Sequence, residues 1–427
     1  MNDGKFKDLY TKKTTDFIRK RVWGFKEIFV GILHGLTKSL SVQVDSLLKY
    51  FELQDLQSSK QAFSKARQKL KYEGFVALNE AFATTYYSDD EFLLYKSYRL
   101  AAIDGSDLKL PESADIKEVF GCQNTCGFPM ASGSILYDLE NRVIIDSHLD
   151  KYASSERDQA IMHLDKLVKI DGGRKIPTII IFDRGYPSIL LLCTLISLGI
   201  DFVIRFEADA FTKTTKEFAK SGGLDEDIDI ELSKLSPTTI AKIKPYITTL
   251  KILKLRIIRL LRADKDIFLL TSLTKADKGQ VFGYEDFEEL YHKRWGIETQ
   301  YDYLKNVMEL ENFATKTSLG VYQEFYATIL CANIYQLLAQ DAAQQVRTEQ
   351  NQKMKNDDAI KINFAVAAGL SKSQLIDIVF SDKPLEIIYQ RLIQKIKQNK
   401  VLSKPNRSFQ RKVKFNRKFY LCKRPVS

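Results

Sequence analysis

The chain has 427 residues, of which 44% are hydrophobic and 28% are charged, a composition that excludes wholesale disorder and leaves room for two or three globular domains. Its formal net charge of +11 favours a polyanionic partner, most often a nucleic acid, although a solvated basic surface without a partner would give the same balance. Five cysteines are too few for a disulfide framework in so long a chain, and no apolar segment is long enough to span a bilayer, which excludes a disulfide scaffold and a membrane protein.

Two further features narrow the class of protein. The first residues contain no apolar stretch of the kind that a signal peptide needs, so we expect a cytoplasmic protein. Cys122 and Cys126 are spaced like half of a metal site, but no second Cys or His pair follows at a useful spacing, which argues against zinc.

Residues 1–90 have the pattern of a small helical domain. Apolar residues from Phe25 to Leu33 recur at steps of three and four, which predicts an amphipathic helix, and a second helix is predicted from Val42 to Phe51. Ser58-Ser59 can cap a third helix, which carries Lys65, Arg67 and further lysines. Small helical domains with a basic helix often dock on DNA, so we predict a DNA-binding domain, with a basic solvated face as the alternative.

The pattern changes to strands and helices between residues 91 and 206. The predicted elements, in order, are a strand from Tyr98 to Ile103 that ends at Asp104, a hairpin of Ser134–Leu139 and Arg142–Leu149, a helix from Ser155 to Val168, a strand from Pro177 to Phe182 that ends at Asp183, a helix from Pro187 to Leu198, and a strand from Asp201 to Phe206. Three strands in a meander, followed by strands that alternate with helices, are the order of an RNase H-like fold, a mixed α/β sheet with helices on both faces. We therefore predict that residues 91–206 form the first part of an RNase H-like core.

The rest of the chain divides into three predicted segments. Residues 207–265 are predicted to be an insertion rich in β structure, and residues 266–345 return to the core with a long helix from Tyr284 to Asn312, followed by another from Val321 to Ala339. Residues 346–427 are predicted to form a helical region and a basic tail. From Lys404 to Arg424 the tail has no acidic residue, which suits contact with DNA phosphates; the alternative is a disordered tail that only aids solubility. The predicted phosphate contacts in the tail include Arg411, Lys412, Arg417 and Lys418.

Two aspartates follow predicted buried strands. Asp104 and Asp183 each come directly after such a strand, and functional groups collect at the strand ends of an open α/β sheet. In the predicted fold the two strands are neighbours, so the carboxylates would lie side by side and repel each other unless a cation sits between them. Mg²⁺ suits carboxylate ligands and phosphate substrates, whereas a plain Asp-Gly turn is the alternative for Asp104.

A second group of functional side chains lies on the predicted helix from Tyr284 to Asn312. Tyr291, Arg294, Glu298 and Lys305 follow one another at steps of three, four and seven residues, and at about 100° per residue they share an arc of roughly 60°. Glu298 can bind a metal ion, Arg294 can hold a phosphate through two hydrogen bonds, and Lys305 can contact a phosphate as a point charge. The alternative is an i, i+4 salt bridge between Arg294 and Glu298 on a solvated face.

These residues resemble the signature of a known family. Tyr291, Arg294, Glu298 and Lys305, at this spacing, match the YREK signature of the IS4-family DDE transposases. The segments Ile103–Ser106 and Phe182–Tyr186 resemble the blocks around that family's two catalytic aspartates, and Leu269–Leu273 resembles its strand before the signature helix. The resemblance covers roughly residues 98–313, with weaker likeness in the N-terminal helices.

The resemblance implies a cut-and-paste DNA transposase. Asp104, Asp183 and Glu298 would bind two Mg²⁺ or Mn²⁺ ions, one activating water or a DNA 3′-hydroxyl and the other stabilising the leaving oxygen. The chemistry would be phosphodiester hydrolysis followed by strand transfer.

The resemblance also implies partners for this chemistry. Tyr291, Arg294 and Lys305 would contact phosphates near the transposon end, and Trp295 is a candidate for stacking on a flipped base, with packing against the insertion as the alternative. The implied partners are double-stranded DNA, as terminal inverted repeats and as target, and a second copy of the chain in a synaptic homodimer. The implied location is the bacterial cytoplasm, in association with the nucleoid.

Two other functions remain open from the sequence. One is a transposase-derived factor that binds terminal repeats without cutting, and the other is a metal-dependent nuclease of the same fold that does not rejoin DNA. Three converging carboxylates argue against the first, and Arg294 and Lys305 argue against the second only through the family resemblance. Among the remaining polar residues, His148 and His163 belong to no visible constellation, and Glu156 is interpreted as a residue of a helix start.

Overall fold

The computed structural model describes residues 4–19, 21–36, 39–89, 91–123, 127–207, 211–247, 249–278, 281–351 and 360–402. The tail residues predicted to contact DNA, Arg411, Lys412, Arg417 and Lys418, lie outside the described residues. The chain forms two compact units. The helical unit comprises Met1–Asn79, Leu108–Met130 and Asp302–Ser427, and the sheet unit comprises Glu80–Asp107 and Ala131–Tyr301. In the described part of the chain, no helix combines the length and the apolar character needed to cross a membrane.

The secondary structure alternates between helices and strands through most of the chain. The α-helices are α1 (Gly4–Tyr10), α2 (Phe25–Leu33), α3 (Leu40–Tyr50), α4 (Lys60–Arg67), α5 (Glu73–Tyr86), α6 (Ala114–Phe120), α7 (Glu156–Asp171), α8 (Ile189–Ser197), α9 (Lys213–Ser221), α10 (Pro237–Ile247), α11 (Lys275–Lys278), α12 (Asp286–His292), α13 (Trp295–Asn306), α14 (Ser318–Asn351), α15 (Phe364–Phe380) and α16 (Leu385–Lys397). The β-strands are β1 (Arg99–Lys109), β2 (Met130–Asp138), β3 (Val143–Lys151), β4 (Thr178–Phe182), β5 (Asp201–Phe206), β6 (Asp225–Glu231), β7 (Ile252–Leu260), β8 (Ile267–Thr271), β9 (Ile360–Ile362) and β10 (Lys400–Leu402).

The helical unit buries the apolar faces of its helices. In α2, the periodic apolar residues that predicted an amphipathic helix are buried, with Ile28 and Phe29 at 0% exposure. Ser59 caps α4 as expected, because its hydroxyl accepts a hydrogen bond from the backbone N–H of Ala62. Near the C-terminal end of the described chain, α14 and α16 bury Val346 and Leu392 in a common apolar cluster.

One mixed sheet dominates the sheet unit. Its strand order is β3-β2-β1-β4-β5-β8-β7-β6. The central strands β1, β4 and β5 are parallel, whereas the β2–β3 hairpin and the β8-β7-β6 edge are antiparallel. The segment 207–265, predicted to be rich in β structure, contributes β6 and β7 to the sheet and also forms α9 and α10. This mixed α/β architecture confirms the fold class predicted from the sequence.

Both faces of the central sheet are covered, which explains the continuous apolar run in β4. Successive side chains of a strand point to opposite faces, so Ile180 and Phe182 join a core that includes residues of α7 and α8. Ile179 and Ile181 join a second core on the other face, together with Tyr291 of α12. Burial on two faces therefore replaces the alternation of apolar and polar residues that a half-exposed strand would show.

The first core strand is longer than predicted. The predicted strand ended before Asp104, but β1 continues to Lys109, so Asp104 lies within the strand. The pairing of β1 with β4 ends at Ala102 and Ile181, while β2 flanks the other edge of β1. The interpretation of Asp104 as the first residue of a turn is therefore wrong.

The predicted long helix from Tyr284 to Asn312 is also wrong, because it is divided into α12 and α13. The backbone N–H of Arg294 donates to the carbonyl of Tyr291, and that of Ile297 donates to the carbonyl of Arg294, so the chain tightens to three-residue steps between the helices. Gly296 has a low helix propensity, and a Cβ at this position would lie 2.9 Å from a side-chain methyl of Leu139. The arc calculated for one continuous helix does not apply across this break.

A buried ion pair anchors the start of β1. The guanidinium of Arg99 is fully buried and donates to both carboxylate oxygens of Asp171, at 2.8 and 2.7 Å. The same guanidinium stacks 4.9 Å from the ring centroid of Tyr87. Because a buried charge without its partner is strongly destabilising, this pair ties the end of α7 to the central sheet.

We predict that Asp171→Ala lowers the unfolding free energy by about 3–5 kcal/mol, since it leaves the Arg99 charge buried and unpaired. The matched control is Glu217→Ala, which removes an exposed i, i+4 partner of Lys213 and should change stability by less than about 1 kcal/mol. Urea unfolding followed by circular dichroism measures both variants. Equal, small effects for the two substitutions would contradict an anchoring role for the Arg99–Asp171 pair.

Candidate active site

Two aspartates lie side by side at the centre of the sheet. β1 and β4 are parallel, with Ala102 opposite Ile181, and extending this register by two residues places Asp104 opposite Asp183. Asp183 directly follows β4, as predicted. The structure therefore brings together the two carboxylates that the sequence placed at the ends of neighbouring strands.

The pKa of Asp104 reflects its burial and its acidic neighbours. Burial raises the pKa of Asp104 to about 6, and the neighbouring carboxylates of Asp183 and Glu156 push it in the same direction. The backbone N–H of Gly105 donates to the Asp104 carboxylate at 3.0 Å, and Arg294 also favours its charged form, but these effects are outweighed. Burial is thus the main reason why the charged form of Asp104 is disfavoured, and the neighbouring carboxylates add to it.

Hydrogen bonds hold the backbone and side chains of the two aspartates. The hydroxyl of Tyr301 donates to the backbone carbonyl of Asp104 at 2.9 Å, and the hydroxyl of Ser134 lies 3.3 Å from the same oxygen. The hydroxyl of Tyr291 donates to Oδ1 of Asp183 at 3.1 Å. Burial, and then the charge of Asp183, raise the pKa of Tyr291 to about 12, so this phenol remains a donor at neutral pH.

Arg294 links the third predicted carboxylate to the aspartates. Its Nη2 lies 2.8 Å from Oε1 of Glu298, the i, i+4 salt bridge that the sequence left open as an alternative. The pair is not on a solvated face, since Arg294 is only 8% exposed. The same guanidinium interacts electrostatically with Asp104 and Asp183, so one cation serves three carboxylates. Among the described residues, no partner accepts a hydrogen bond from its buried Nε.

The carboxylates are spread over more space than a single ion would fill. Within the described part of the chain, the ligand atoms of Asp104, Asp183 and Glu298 do not all lie within 4.8 Å of one another. Tyr186 is 1% exposed, and its hydroxyl finds no hydrogen-bond partner among the described residues, although it faces the charges of Asp104 and Glu156. The described structure therefore does not bring all three predicted carboxylates around one point.

Glu156 is a fourth acidic residue that the sequence interpretation missed. A Cβ added at Gly105 would lie 3.0 Å from its Oε1, and one added at Gly185 would lie 3.4 Å from its Oε2, so its carboxylate fits between two glycines. Burial raises the pKa of Glu156, and the charges of Asp107 and Asp183 add to this effect. Its position at the start of α7, after the Ser155 cap, hid it among ordinary helix-start residues, but the glycines that follow both aspartates were a usable signal.

The other residues of this region that were predicted to contact DNA lie in different surroundings. Trp295 is 51% exposed, so its indole ring is accessible to solvent and not packed in a core. Lys305 lies on α13, with its Nζ 3.8 Å from Oε1 of Glu311.

The two predicted contacts on α4 differ from each other. Lys65 is exposed and lines a groove of about 1080 Å³ in the helical unit. Arg67 is buried at 7% exposure and donates to Gln323, Glu324 and the carbonyl of Gly320. In this structure the guanidinium of Arg67 therefore holds helices together and is not available to a DNA phosphate.

Residues 95–334 match the family model described as "Transposase DDE domain", which covers more than half of the chain. Among solved structures, the chain is similar to one described as "Cryo-EM structure of piggyBac transposase synaptic complex with hairpin DNA (SNHP)". This similarity has 12% sequence identity and a TM-score of 0.43, and it covers 87% of this chain and 75% of that chain. No curated protein matches the chain. The matched segment contains both aspartates, Glu156 and Glu298, and the chain belongs to the family of transposases with a DDE domain.

Proposed function

We propose that this transposase is a cut-and-paste enzyme of the IS4 type, with Asp104, Asp183 and Glu298 as its catalytic carboxylates. The observation that carries the proposal is the placement of Asp104 opposite Asp183 on parallel neighbouring strands, with Glu298 tied to both through Arg294. Tyr291, Arg294, Glu298 and Lys305 supply the YREK spacing, although a helix break that contains Arg294 separates Tyr291 from Glu298 and Lys305.

The donor set fits two divalent ions such as Mg²⁺ or Mn²⁺. Carboxylate oxygens are the ligands that these hard cations prefer, and a bound cation would stabilise the charged form of the buried Asp104. Asp104, Asp183 and Glu298 would hold the ions, and the position of the Glu156 carboxylate supports adding it to the donor set. When bound, the ions would supply positive charge that favours a deprotonated nucleophile and the developing charge on the leaving oxygen.

The chain's own residues position the reacting groups. In the first step, a water oxygen bonds to phosphorus and the DNA 3′-oxygen leaves, taking up a proton; in the second, that 3′-hydroxyl bonds to a phosphorus of the target strand and displaces a target 3′-oxygen. The Tyr291 hydroxyl restrains one oxygen of Asp183. Arg294 can exchange its bond to Glu298 for two hydrogen bonds to a phosphate, and the exposed ring of Trp295 can stack on a base.

Double-stranded DNA is the partner that the charge distribution favours. The groove beside Lys65 is also lined by four further cations, Lys13, Arg19, Arg21 and Lys69, and by the single acid Asp16. Such a surface suits the phosphate backbone of a terminal repeat. We include a homodimer in the proposal because two transposon ends must be held together. We also include a bacterial, nucleoid-associated location, because the proposed substrate of the enzyme is chromosomal DNA.

We predict that Asp183→Ala abolishes cleavage of a terminal-repeat duplex in Mg²⁺, by at least about 10³-fold, while DNA affinity changes less than about threefold. The control is Asp264→Ala, which removes an exposed loop carboxylate and should leave cleavage unchanged. Gel assays of cleavage and binding measure both quantities. Retained cleavage in the Asp183 variant would rule out the carboxylate assignment, and cleavage without strand transfer in the parent protein would favour a non-rejoining nuclease.

Glu156→Gln tests the fourth acidic residue. The amide keeps the size of the side chain but loses its charge, so we predict that Mn²⁺ affinity falls and that cleavage falls at least tenfold, with no loss of folding. Glu217→Gln, an exposed helix carboxylate, is the matched control. Electron paramagnetic resonance titration reports free Mn²⁺ independently of activity. If the Glu156 variant kept both its Mn²⁺ affinity and its activity, Glu156 would be only a helix-start residue.

The buried charge of Asp104 should destabilise the folded protein when EDTA removes metal ions. The pKa of Asp104 is raised above its ordinary value of 3.8 to about 6. Protonation of Asp104 therefore contributes to the stability of the folded protein in full below about pH 4, and this contribution is lost as the pH rises through about 6. Asp104→Asn should therefore stabilise the protein near pH 7.5 by on the order of 2 kcal/mol, and the gain should shrink towards pH 4. Urea unfolding at a series of pH values measures this, and a gain that is independent of pH would contradict the electrostatic explanation.

A further inference from the structure

Two histidines meet one buried aspartate beneath the β2–β3 hairpin. Asp146 and His148 are two residues apart on β3, so their side chains share a face of the strand, and His163 reaches the same point from α7. Their ligand atoms all lie within 4.8 Å of one another. Oδ2 of Asp146 is 2.7 Å from Nδ1 of His163 and 3.0 Å from Nε2 of His148. The sequence interpretation placed neither histidine in a constellation, because their convergence depends on the packing of α7 on the sheet.

Both ring nitrogens of His163 have a polar neighbour, Asp146 at Nδ1 and Ser134 at Nε2. Its Nε2 is 3.0 Å from the hydroxyl of Ser134, and that hydroxyl lies 3.3 Å from the backbone carbonyl of Asp104. If Ser134 uses its one proton on the carbonyl, Nε2 of His163 must carry a proton and donate to Ser134. Nδ1 then needs a second proton, or another cation, to face the carboxylate of Asp146.

Burial argues against the second proton. His163 is 0% exposed, and its burial lowers the pKa of the imidazole, so the charged form is disfavoured. The pKa of Asp146 is held below its ordinary value by His148 and His163, although burial opposes this. A neutral imidazole has one proton for these two contacts, so either Nδ1 or Nε2 of His163 presents a lone pair, and a cation at Nδ1 leaves the proton on Nε2.

One ring nitrogen of His148 lacks a hydrogen bond. Its Nε2 is buried and, among the described residues, has no hydrogen-bond partner in acceptable geometry, despite lying 3.0 Å from Asp146. A ring nitrogen without a hydrogen bond, this close to a carboxylate oxygen, can bind a shared cation together with that oxygen.

We propose that Asp146, His148 and His163 form a binding site for one divalent transition-metal ion of the zinc class, separate from the catalytic carboxylates. One ion satisfies the lone pairs of both histidines and the charge of Asp146 together. It leaves the single proton of His163 on Nε2, where it donates to Ser134 and frees the Ser134 proton for Asp104. Such a hydrogen bond from the second ring nitrogen is the usual outer support of a metal-bound histidine.

The ligand chemistry selects the ion. Two imidazoles and one carboxylate suit zinc and its neighbours, whereas Mg²⁺ prefers oxygen ligands alone. Ligand atoms about 2.0–2.1 Å from a tetrahedral ion lie about 3.3 Å apart, so the contacts of 2.7 and 3.0 Å must open by a few tenths of an ångström. The side chain of His148 is 19% exposed, which provides an entry path and space for water as a fourth ligand.

The ion would have a structural role. It would join β3 to α7. This helix also carries Glu156, at its N-terminus and two turns before His163. Through Ser134 the ion would also support the backbone of Asp104. Loss of the ion should therefore lower thermal stability before it alters DNA affinity.

The test uses the full-length protein, stripped with a chelator and titrated with Zn²⁺ and Co²⁺ in excess Mg²⁺. We expect one tightly bound ion per chain by equilibrium dialysis, a visible absorption spectrum of tetrahedral Co²⁺, and a rise in melting temperature with Zn²⁺. His148→Ala should weaken Zn²⁺ binding at least tenfold and remove the thermal shift. His292→Ala, which removes an exposed histidine from the end of α12, and Asp183→Ala should bind Zn²⁺ like the parent protein.

The Co²⁺ spectrum of the parent protein needs no variant, so the test stands even if His148→Ala fails to fold. Absence of saturable Zn²⁺ and Co²⁺ binding in excess Mg²⁺ would overturn the proposal and leave a neutral His163 that donates from Nδ1 to Asp146. Equal binding by the parent and His148→Ala proteins, or loss of binding in Asp183→Ala, would place the ion elsewhere and would also overturn it. Neither result bears on the catalytic role of Asp104 and Asp183, which the cleavage assay tests separately.

Discussion

The parallel pairing of β1 with β4 is the constraint on which the site depends. It places Asp104 opposite Asp183 and surrounds both with a sheet that is buried on two faces. Carboxylates in such surroundings are unfavourable, as the raised pKa of Asp104 records. The fold can keep them because apolar packing and the Arg99–Asp171 pair stabilise the same strands elsewhere.

Arg294 is held in this site mainly by charge and is incompletely hydrogen-bonded. It neutralises part of the charge of three carboxylates while its Nε finds no hydrogen-bond partner among the described residues. In the proposed function, this incompletely hydrogen-bonded guanidinium exchanges Glu298 for a DNA phosphate. The break between α12 and α13 contributes to this arrangement, because it separates the element that carries Tyr291 from the one that carries Glu298.

The helix α7 connects the two sites. Its N-terminus places Glu156 between the glycines that follow the aspartates, and His163, two turns later, meets Asp146 on β3. A change in the position of this helix would therefore affect both the acidic group and the histidine group. The proposed transition-metal ion and the proposed catalytic ions differ in ligand type, so each can be removed or replaced separately in experiments.

Local patterns in the sequence determined much of the fold and its central residues. The β-branched run before Asp183, the Ser59 cap and the periodic residues of α2 each depend on near neighbours along the chain, and each prediction is confirmed. The length of β1 and the break before α13 depend on strand β2 and on Leu139, which are distant in sequence, and both predictions were wrong. Glu156, Asp146 and His163 gained their neighbours only through tertiary packing, because residues far apart along the chain share charges and protons only when a common core brings them together.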